Sequence, residues 1–396
     1  MNNILTASRM NCAMTCLRKH FWIFEVGLQR IEIARALRIG SAWARAMEAR
    51  WNGSSYEEAL VQAIPEGIDL EPYDTHTVSA LLAAYYDYFG QVETCGKIYP
   101  EVEFESPLEG TGFICRGKID GLGSMQDGQT ALIESKTTSD SVAPESDFWL
   151  RLSFNLQVYN YIVEARKLGW DVNRVYYDVT RKPVISPKKV YDLDSKGRKI
   201  VLDQNGTRIF ATKTIKVPAK GKTKVSTTKT VVDETKPRQS EDKERGWTLK
   251  SHIETPEEFS QRLYDDCRSR PEFYFCRREI PVIDQQLESF ERQRLAIARL
   301  ISSLRENENG GILLDRIHHP DEVREAFRDP EAWPRNVSEH TCNFCPFKSF
   351  CLLNVSIDIN NPPDGFEVRP FNPELSYATE TTNATDATNS ADNSEK

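Results

Sequence analysis

The residues best suited to chemistry stand in one stretch, GKIDGLGSMQDGQTALIESK, which holds Asp120 and then Glu134-Ser135-Lys136. Phosphodiester hydrolysis calls for a hard divalent cation held by carboxylate oxygens. It also calls for an activated water and for positive charge near the phosphorus. Two carboxylates and a lysine converging on one spot meet that demand, and register decides whether they converge. Side chains alternate faces along a strand, so Glu134 and Lys136 share a face and Ser135 points away. A two-residue turn at Asp127-Gly128 sets Asp120 opposite Ser135, on the wrong face. A three-residue loop, Gln126-Asp127-Gly128, sets it opposite Glu134, and such a loop wants a left-handed residue last, where Gly128 stands. Gly121 and Gly123 leave room for bulges. The competing reading is a surface hairpin with scattered charges, because a D…ExK pattern alone is common by chance. Against it, Ile119, Leu132 and Ile133 make the strands partly buried, where an unpartnered Glu or Lys is costly.

Two further groups draw attention. Gln157 and Tyr161 lie four apart in a helical stretch and share a face, so both can approach the strand-end ESK; the plain alternative is that Tyr161 is a core aromatic. Of nine cysteines, the last three lie close together, Cys342, Cys345 and Cys351 in HTCNFCPFKSFC. That spacing suggests a metal or an iron–sulfur cluster. The best candidate for a fourth ligand is Cys16 in TCLRKHF, with Cys12 and His340 as rivals. A zinc knuckle or unliganded thiols are the alternatives.

The elements that must position these residues are legible in outline. The first 95 residues read as helical, with Ile31–Trp51 and Thr75–Val92 as the strong candidates. Strands follow at IYPEVEFESPL, GFICRGKIDGL and TALIESKTT, then a helix over Phe148–Leu168, then a strand over Arg174–Thr180. This order predicts a mixed α/β core. Residues 181–250 carry 19 Lys and Arg against 8 Asp and Glu. They read as a basic, partly disordered insertion, with a hairpin through Asn205-Gly206. Helices resume at Thr255-Pro256-Glu257-Glu258, and a long one spans Asp284–Glu306. The domain reading is a single domain over 1–375 and a disordered tail over 376–396.

The bulk numbers fit a soluble globular protein: 39% hydrophobic, 28% charged and a formal net charge of −8. An acidic total argues against a uniformly basic nucleic-acid binder but leaves room for local patches. No apolar run reaches membrane-spanning length, and the start has no signal-peptide pattern, so the expectation is a cytoplasmic protein without a membrane partner.

Taken in order, Cys16-x-Arg18-Lys19, Gly40-x7-Glu48, Gly117-Lys118-Ile119-Asp120, Glu134-Ser135-Lys136, Gln157-x3-Tyr161 and Cys342-x2-Cys345-x5-Cys351 resemble the RecB-type branch of the PD-(D/E)XK nucleases. The likeness is nearest to phage-type members with an iron–sulfur clasp, related to the CRISPR-associated exonucleases and the AddB nuclease domain. The resemblance covers about Ser8 to Cys351 apart from the insertion. It implies a restriction-endonuclease-like fold with helical N- and C-terminal parts, and a DNA exonuclease active in phage or host recombination or repair. Asp120 and Glu134 would ligate Mg2+ or Mn2+ with the Ser135 carbonyl. Lys136 would orient or activate water, and Gln157 and Tyr161 would support the site and the DNA backbone. Cys16, Cys342, Cys345 and Cys351 would hold a structural 4Fe-4S cluster, with zinc as the alternative.

There is one departure. The family's helix carries a metal-binding histidine in a G-x3-H-x3-E pattern, and here GSAWARAME puts Ala44 at that position. Glu48 takes over, or the site works with carboxylates alone, or activity is lost and the chain is a DNA-binding or adaptor protein on the same fold. A third class of reading is a zinc-binding structural protein. For DNA contact the candidates are Arg18, Lys19, Arg151, Arg181 and Lys182, with Trp149, Phe154 and Tyr159 as aromatics able to stack on bases. A partner helicase is not legible.

Overall fold

The structure, a computed structural model, describes residues 3–32, 35–65, 70–90, 96–217, 227–309, 332–353, 357 and 360–369. The tail over 376–396 lies outside the described residues. Among the described residues no helix is long and apolar enough to cross a membrane. The chain divides into two compact units: residues 1–70, 85–182 and 270–396 in the first, and 71–84 with 183–269 in the second.

The first unit is built on a mixed six-stranded sheet. Its strands are β1 (Ile4–Leu5), β3 (Lys97–Leu108), β4 (Phe113–Ser124), β5 (Thr130–Thr138), β6 (Val172–Arg181) and β13 (Phe275–Pro281). A short pair of strands, β2 (Leu28–Arg30) with β14 (Phe366–Val368), stands apart from it. β3, β4 and β5 form an antiparallel meander, β5 and β6 run parallel, and β13 returns antiparallel to β6. Parallel neighbours need a crossover. Here it is two helices, α6 (Asp147–Leu152) and α7 (Leu156–Lys167). The sequence predicts one helix over Phe148–Leu168. The break comes at Asn155, whose side-chain oxygen accepts the Gln157 and Val158 amides and so starts a new helix.

Between β1 and β3 run α1 (Ala7–Thr15), α2 (Leu17–His20), a π-helical turn at Phe21–Val26, α3 (Arg35–Trp51), α4 (Tyr56–Ala63) and α5 (Pro72–Phe89). α9 (Pro271–Tyr274) leads into β13, and α10 (Asp284–Asn309), α11 (Glu339–Asn343) and α12 (Lys348–Leu352) follow it. The main core joins Leu5, Phe104, Ile119, Leu132, Val158, Ile162, Val175, Phe290 and Ile301 from the sheet, α7 and α10. Buried ion pairs tie the helices to it. Arg294 of α10 reaches Glu164 of α7 at 2.6 Å, and Arg305 reaches Glu25 at 2.9 Å, where Arg9 also bonds at 2.5 Å.

In the second unit, β7 (Lys189–Tyr191) pairs with β12 (Ser251–Ile253), and β8 (Val201–Leu202) with β11 (Thr248–Leu249). A longer hairpin joins β9 (Phe210–Val217) to β10 (Thr227–Pro237). The stretch read as a basic insertion therefore holds ordered strands on both sides of residues 218–226, which lie outside the described residues. Asn205-Gly206 does form a tight turn, closed by the Asp203 amide on Thr207 O at 2.9 Å. Helix α8 (Pro256–Ser269) opens with a reciprocal cap: the Glu258 amide donates to the Thr255 hydroxyl, and the Glu258 carboxylate takes the Thr255 amide.

Candidate active site

The loop between β4 and β5 has the three-residue form. Met125 N donates to Gln129 O at 2.8 Å, and Gly128 closes it with φ 80°. The ladder then runs from Ser124↔Thr130 to Gly121↔Ile133, so Asp120 and Glu134 come next in line on one face. There the pairing stops. β3 covers one edge of β4 along its length, while the other edge is shared by β1 at Ile114–Cys115 and β5 from Gly121 onward. Asp120 ends the uncovered gap between those two partners. Its carboxylate accepts the Ser135 amide at 3.2 Å, across the splayed strands.

A feature with no sequence signal sets this geometry. Glu101 of β3, opposite Asp120, has φ 55° and is the only non-glycine residue with positive φ among the described residues. Pairing resumes on either side in unchanged register, Pro100↔Gly121 and Val102↔Ile119. The faces nevertheless change over. Val102 and Phe104 pack on the main core, whereas Ile98, of the same parity, packs with Ala131 and Ile133 in a second small cluster. The left-handed residue thus turns the ladder over at Asp120 and carries that side chain to the face of Glu134. Glycines 121 and 123 admit the crowding: a Cβ at 121 would meet Ile98 Cγ2 at 3.1 Å, and one at 123 would meet Ile133 Cδ1 at 3.0 Å.

Glu134 is fully buried and in ionic contact with Lys136. Its Oε2 has no hydrogen-bond donor. Lys136 Nζ also donates to Gln157 Oε1 at 3.0 Å, and Gln157 Nε2 donates to the Tyr161 hydroxyl at 3.1 Å. Tyr161 itself is buried edge-on to Phe104. Helix α7 therefore delivers Gln157 to the lysine and Tyr161, one turn on, to Gln157.

Burial and the neighbouring Glu134 push the proton affinity of Asp120 well up, against Lys136 and the Ser135 amide. Burial likewise raises Glu134, with Lys136 opposing. Burial works against the charge on Lys136, but Glu134 and Asp120 outweigh it and keep the ammonium protonated. Glu101, ion-paired to Lys118, adds to the negative field at Asp120. Excess carboxylate around one lysine is a site that asks for a cation. Asp120, Glu134 and the orphan Oε2 fit a hard metal, which needs only one or two carboxylates and completes its shell with water. As the side chains lie, no three His, Cys, Asp or Glu groups among the described residues surround an ion.

The other expected residues divide. Ala44 is exposed on α3, and Glu48, one turn on, is half-buried. Burial and then Glu101 raise the Glu48 carboxyl, while Lys118 and Arg45 lower it. Glu48 thus faces the Glu101–Lys118 pair, of which sequence reasoning singled out Lys118 only as part of a motif and missed Glu101. Cys16, Cys342, Cys345 and Cys351 line one cleft with Lys19 and Trp22. Its free volume of about 20 Å3 has room for roughly one water. All four are free thiols. The rival Cys12 lies near Cys16 and Cys345, and burial pushes its thiol up to about 12. Arg18 is buried and donates to Trp333 O at 2.9 Å, Arg181 stacks on Phe273, and Arg151 is exposed and paired with Asp140. The Lys182 amide bonds Thr138 O at 2.7 Å.

No curated protein matches the sequence. A family profile does, over residues 4–352, from before the first core helix to beyond the last cysteine. With the splayed strands, the mixed sheet and the acidic cluster described above, that match identifies the chain: it belongs to the PD-(D/E)XK nuclease superfamily.

Proposed function

We propose that the chain is a metal-dependent deoxyribonuclease that hydrolyses phosphodiester bonds through Asp120, Glu134 and Lys136. The observation that carries this reading is the meeting of Asp120 and Glu134 at the point where β4 and β5 part, with Lys136 in contact with Glu134 and held by Gln157. Mg2+ or Mn2+, held by Asp120, Glu134 and the Ser135 carbonyl, would supply Lewis acidity and a more acidic bound water. Lys136 would orient the attacking water and offset charge on the phosphate. Gln157 fixes the lysine, and Tyr161 fixes Gln157. Exonuclease action in phage or host DNA recombination or repair rests on the sequence resemblance alone.

Cys16, Cys342, Cys345 and Cys351 are assigned to a structural 4Fe-4S cluster, with zinc as the alternative. The four thiols line one cleft, but as the side chains lie no three of them gather around an ion, so the assignment rests on their spacing and on the sequence resemblance. Iron and sulfide analysis of anaerobically purified protein decides between the two: stoichiometric zinc without iron removes the cluster.

The test of the nuclease is cleavage of end-labelled single- and double-stranded DNA with Mg2+, Mn2+ or EDTA, by the parent, Lys136→Ala and Ala44→His. Metal-dependent cleavage that Lys136→Ala loses is the expected result. A second reading is favoured by the exposed alanine at 44, which has no metal-binding atom: a DNA-binding or adaptor protein on a silent scaffold. Cleavage by Ala44→His alone, or DNA binding without cleavage by any variant, supports that one.

A further inference from the structure

The corner between α6 and α7 carries an apolar surface that the chemistry above does not use. Phe148 and Trp149 are buried there, and the Tyr159 hydroxyl bonds Gln286 at 3.1 Å. Phe154 stands 70% exposed, with Leu150, four residues earlier, 66% exposed. The backbone stays helical in form through this stretch, Ser153 N on Trp149 O and Phe154 N on Arg151 O, so the two side chains share a face. Two exposed apolar side chains on the corner that leads into the helix bearing Gln157 are a candidate contact surface.

Its position selects the occupant. Phe154 immediately precedes the cap Asn155, and Gln157 in the first turn of α7 touches Lys136. Three residues span at most about 11 Å, roughly three base steps of a stacked strand. The positive end of the α7 dipole lies at the same spot, because its first turn reaches the lysine. Arg151, exposed on the same corner, is ion-paired with Asp140 and would exchange that partner for an incoming phosphate. Cations for phosphates next to an aromatic ring for a base is the chemistry of single-stranded nucleic acid.

We propose that Phe154 is a stacking platform for an unpaired base one to three nucleotides from the scissile phosphate, and that it directs the enzyme to single-stranded or frayed DNA. The proposal rests on the nuclease reading of the site. Paired bases in a duplex offer their faces to one another, so the ring gains nothing from intact double strand. Phe154 is a specificity residue: it touches substrate and leaves Asp120, Glu134 and Lys136 unchanged.

The test is fluorescence-anisotropy titration of the full chain, in EDTA so that nothing is cut, with a labelled single-stranded oligonucleotide and a blunt duplex. The chains compared are the parent, Phe154→Ala, Phe154→Trp and Leu150→Ala. Stacking on one base predicts about 5- to 150-fold weaker single-strand binding by Phe154→Ala, recovery in Phe154→Trp, and duplex binding within about twofold of the parent. An abasic residue stepped along the oligonucleotide should weaken the parent at one position and leave Phe154→Ala indifferent. Equal single-strand affinity of parent and Phe154→Ala, or equal loss on both substrates, overturns the proposal while leaving the nuclease intact. A parent that binds neither DNA overturns the proposal, and the nuclease reading is then decided by the cleavage assay with Mg2+ or Mn2+.

Discussion

Replacing Lys136 by Met gives a consequence that can be worked through before any DNA is added. Glu134 has no exposure to solvent, and Lys136 is the counter-charge in contact with it among the described residues. Removing one partner of a buried pair typically costs about 3–5 kcal/mol. Two features bring the value down. The lysine side chain is 26% exposed, so part of its charge is already screened. The stranded carboxylate can also take up a proton. At pH 7 that route costs about 3.7 kcal/mol, since an unperturbed Glu lies about 2.7 units below neutrality and each unit is about 1.36 kcal/mol. The expected loss is therefore about 3 kcal/mol and no more than about 4. At roughly 2 °C per kcal/mol for a chain of this size, melting in EDTA should fall by about 6 °C. Glu134→Gln/Lys136→Met should recover most of it, and added Mg2+ should raise the melting of Lys136→Met more than that of the parent. Cleavage should drop by about 10²- to 10⁴-fold in Lys136→Met, the span of a lost proton-transfer group, and stay low in the double variant. A Lys136→Met protein that melts with the parent, or a double variant no more stable than the single one, would refute the argument that Glu134 leans on this lysine.

Two further outcomes follow from the geometry. Burial, reinforced by Arg9, holds His20 down at about 3 from its usual 6.5. Burial pushes Glu25 up, but the guanidiniums of Arg305 and Arg9 outweigh it and hold it at about 2. Both groups take up protons more readily unfolded than folded. Their stabilisation is present at neutral pH, and it is lost below pH 6.5 for His20 and below pH 4.5 for Glu25. For His20 the span is about 5 kcal/mol between pH 6.5 and 3; melting followed from pH 7 to 4 should therefore fall less steeply in His20→Gln, and parallel slopes would count against it. Asn155→Ala removes the cap that splits the crossover and should cost about 1 kcal/mol. It should also lower cleavage, because Gln157 loses its fixed start; an unchanged rate would separate the cap from the site.

The limits of the sequence reading are physical. β5 is visible at its full extent, Thr130–Thr138, because buried apolar residues and β-branched ends agree. The turn to β4 is visible because Gly128 fits one loop length, and loop length sets register. What escapes is structure made by tertiary contact alone. Two residues, Ile4 and Leu5, carry no pattern, yet they pair with β4 and close one end of the gap at Asp120. FCRREIP, with three charged residues in a row, drew no strand expectation and becomes β13 where β6 offers an edge. Glu101 has no signal at all, since a left-handed glutamate is disfavoured at every position until the surrounding fold imposes it.

That left-handed glutamate also has an evolutionary side. Holding a side-chain-bearing residue there costs about 1–2 kcal/mol, and glycine or asparagine would adopt the same turn with less penalty. The strained residue keeps its carboxylate beside Asp120 only while selection on the site outweighs that cost. A lineage that abandons cleavage and keeps the scaffold has a one-codon route to a more stable protein at this position, before Asp120, Glu134 or Lys136 need change. Among related chains with an intact ExK, a glycine or asparagine aligned with Glu101 is therefore the expected first change where cleavage has been given up.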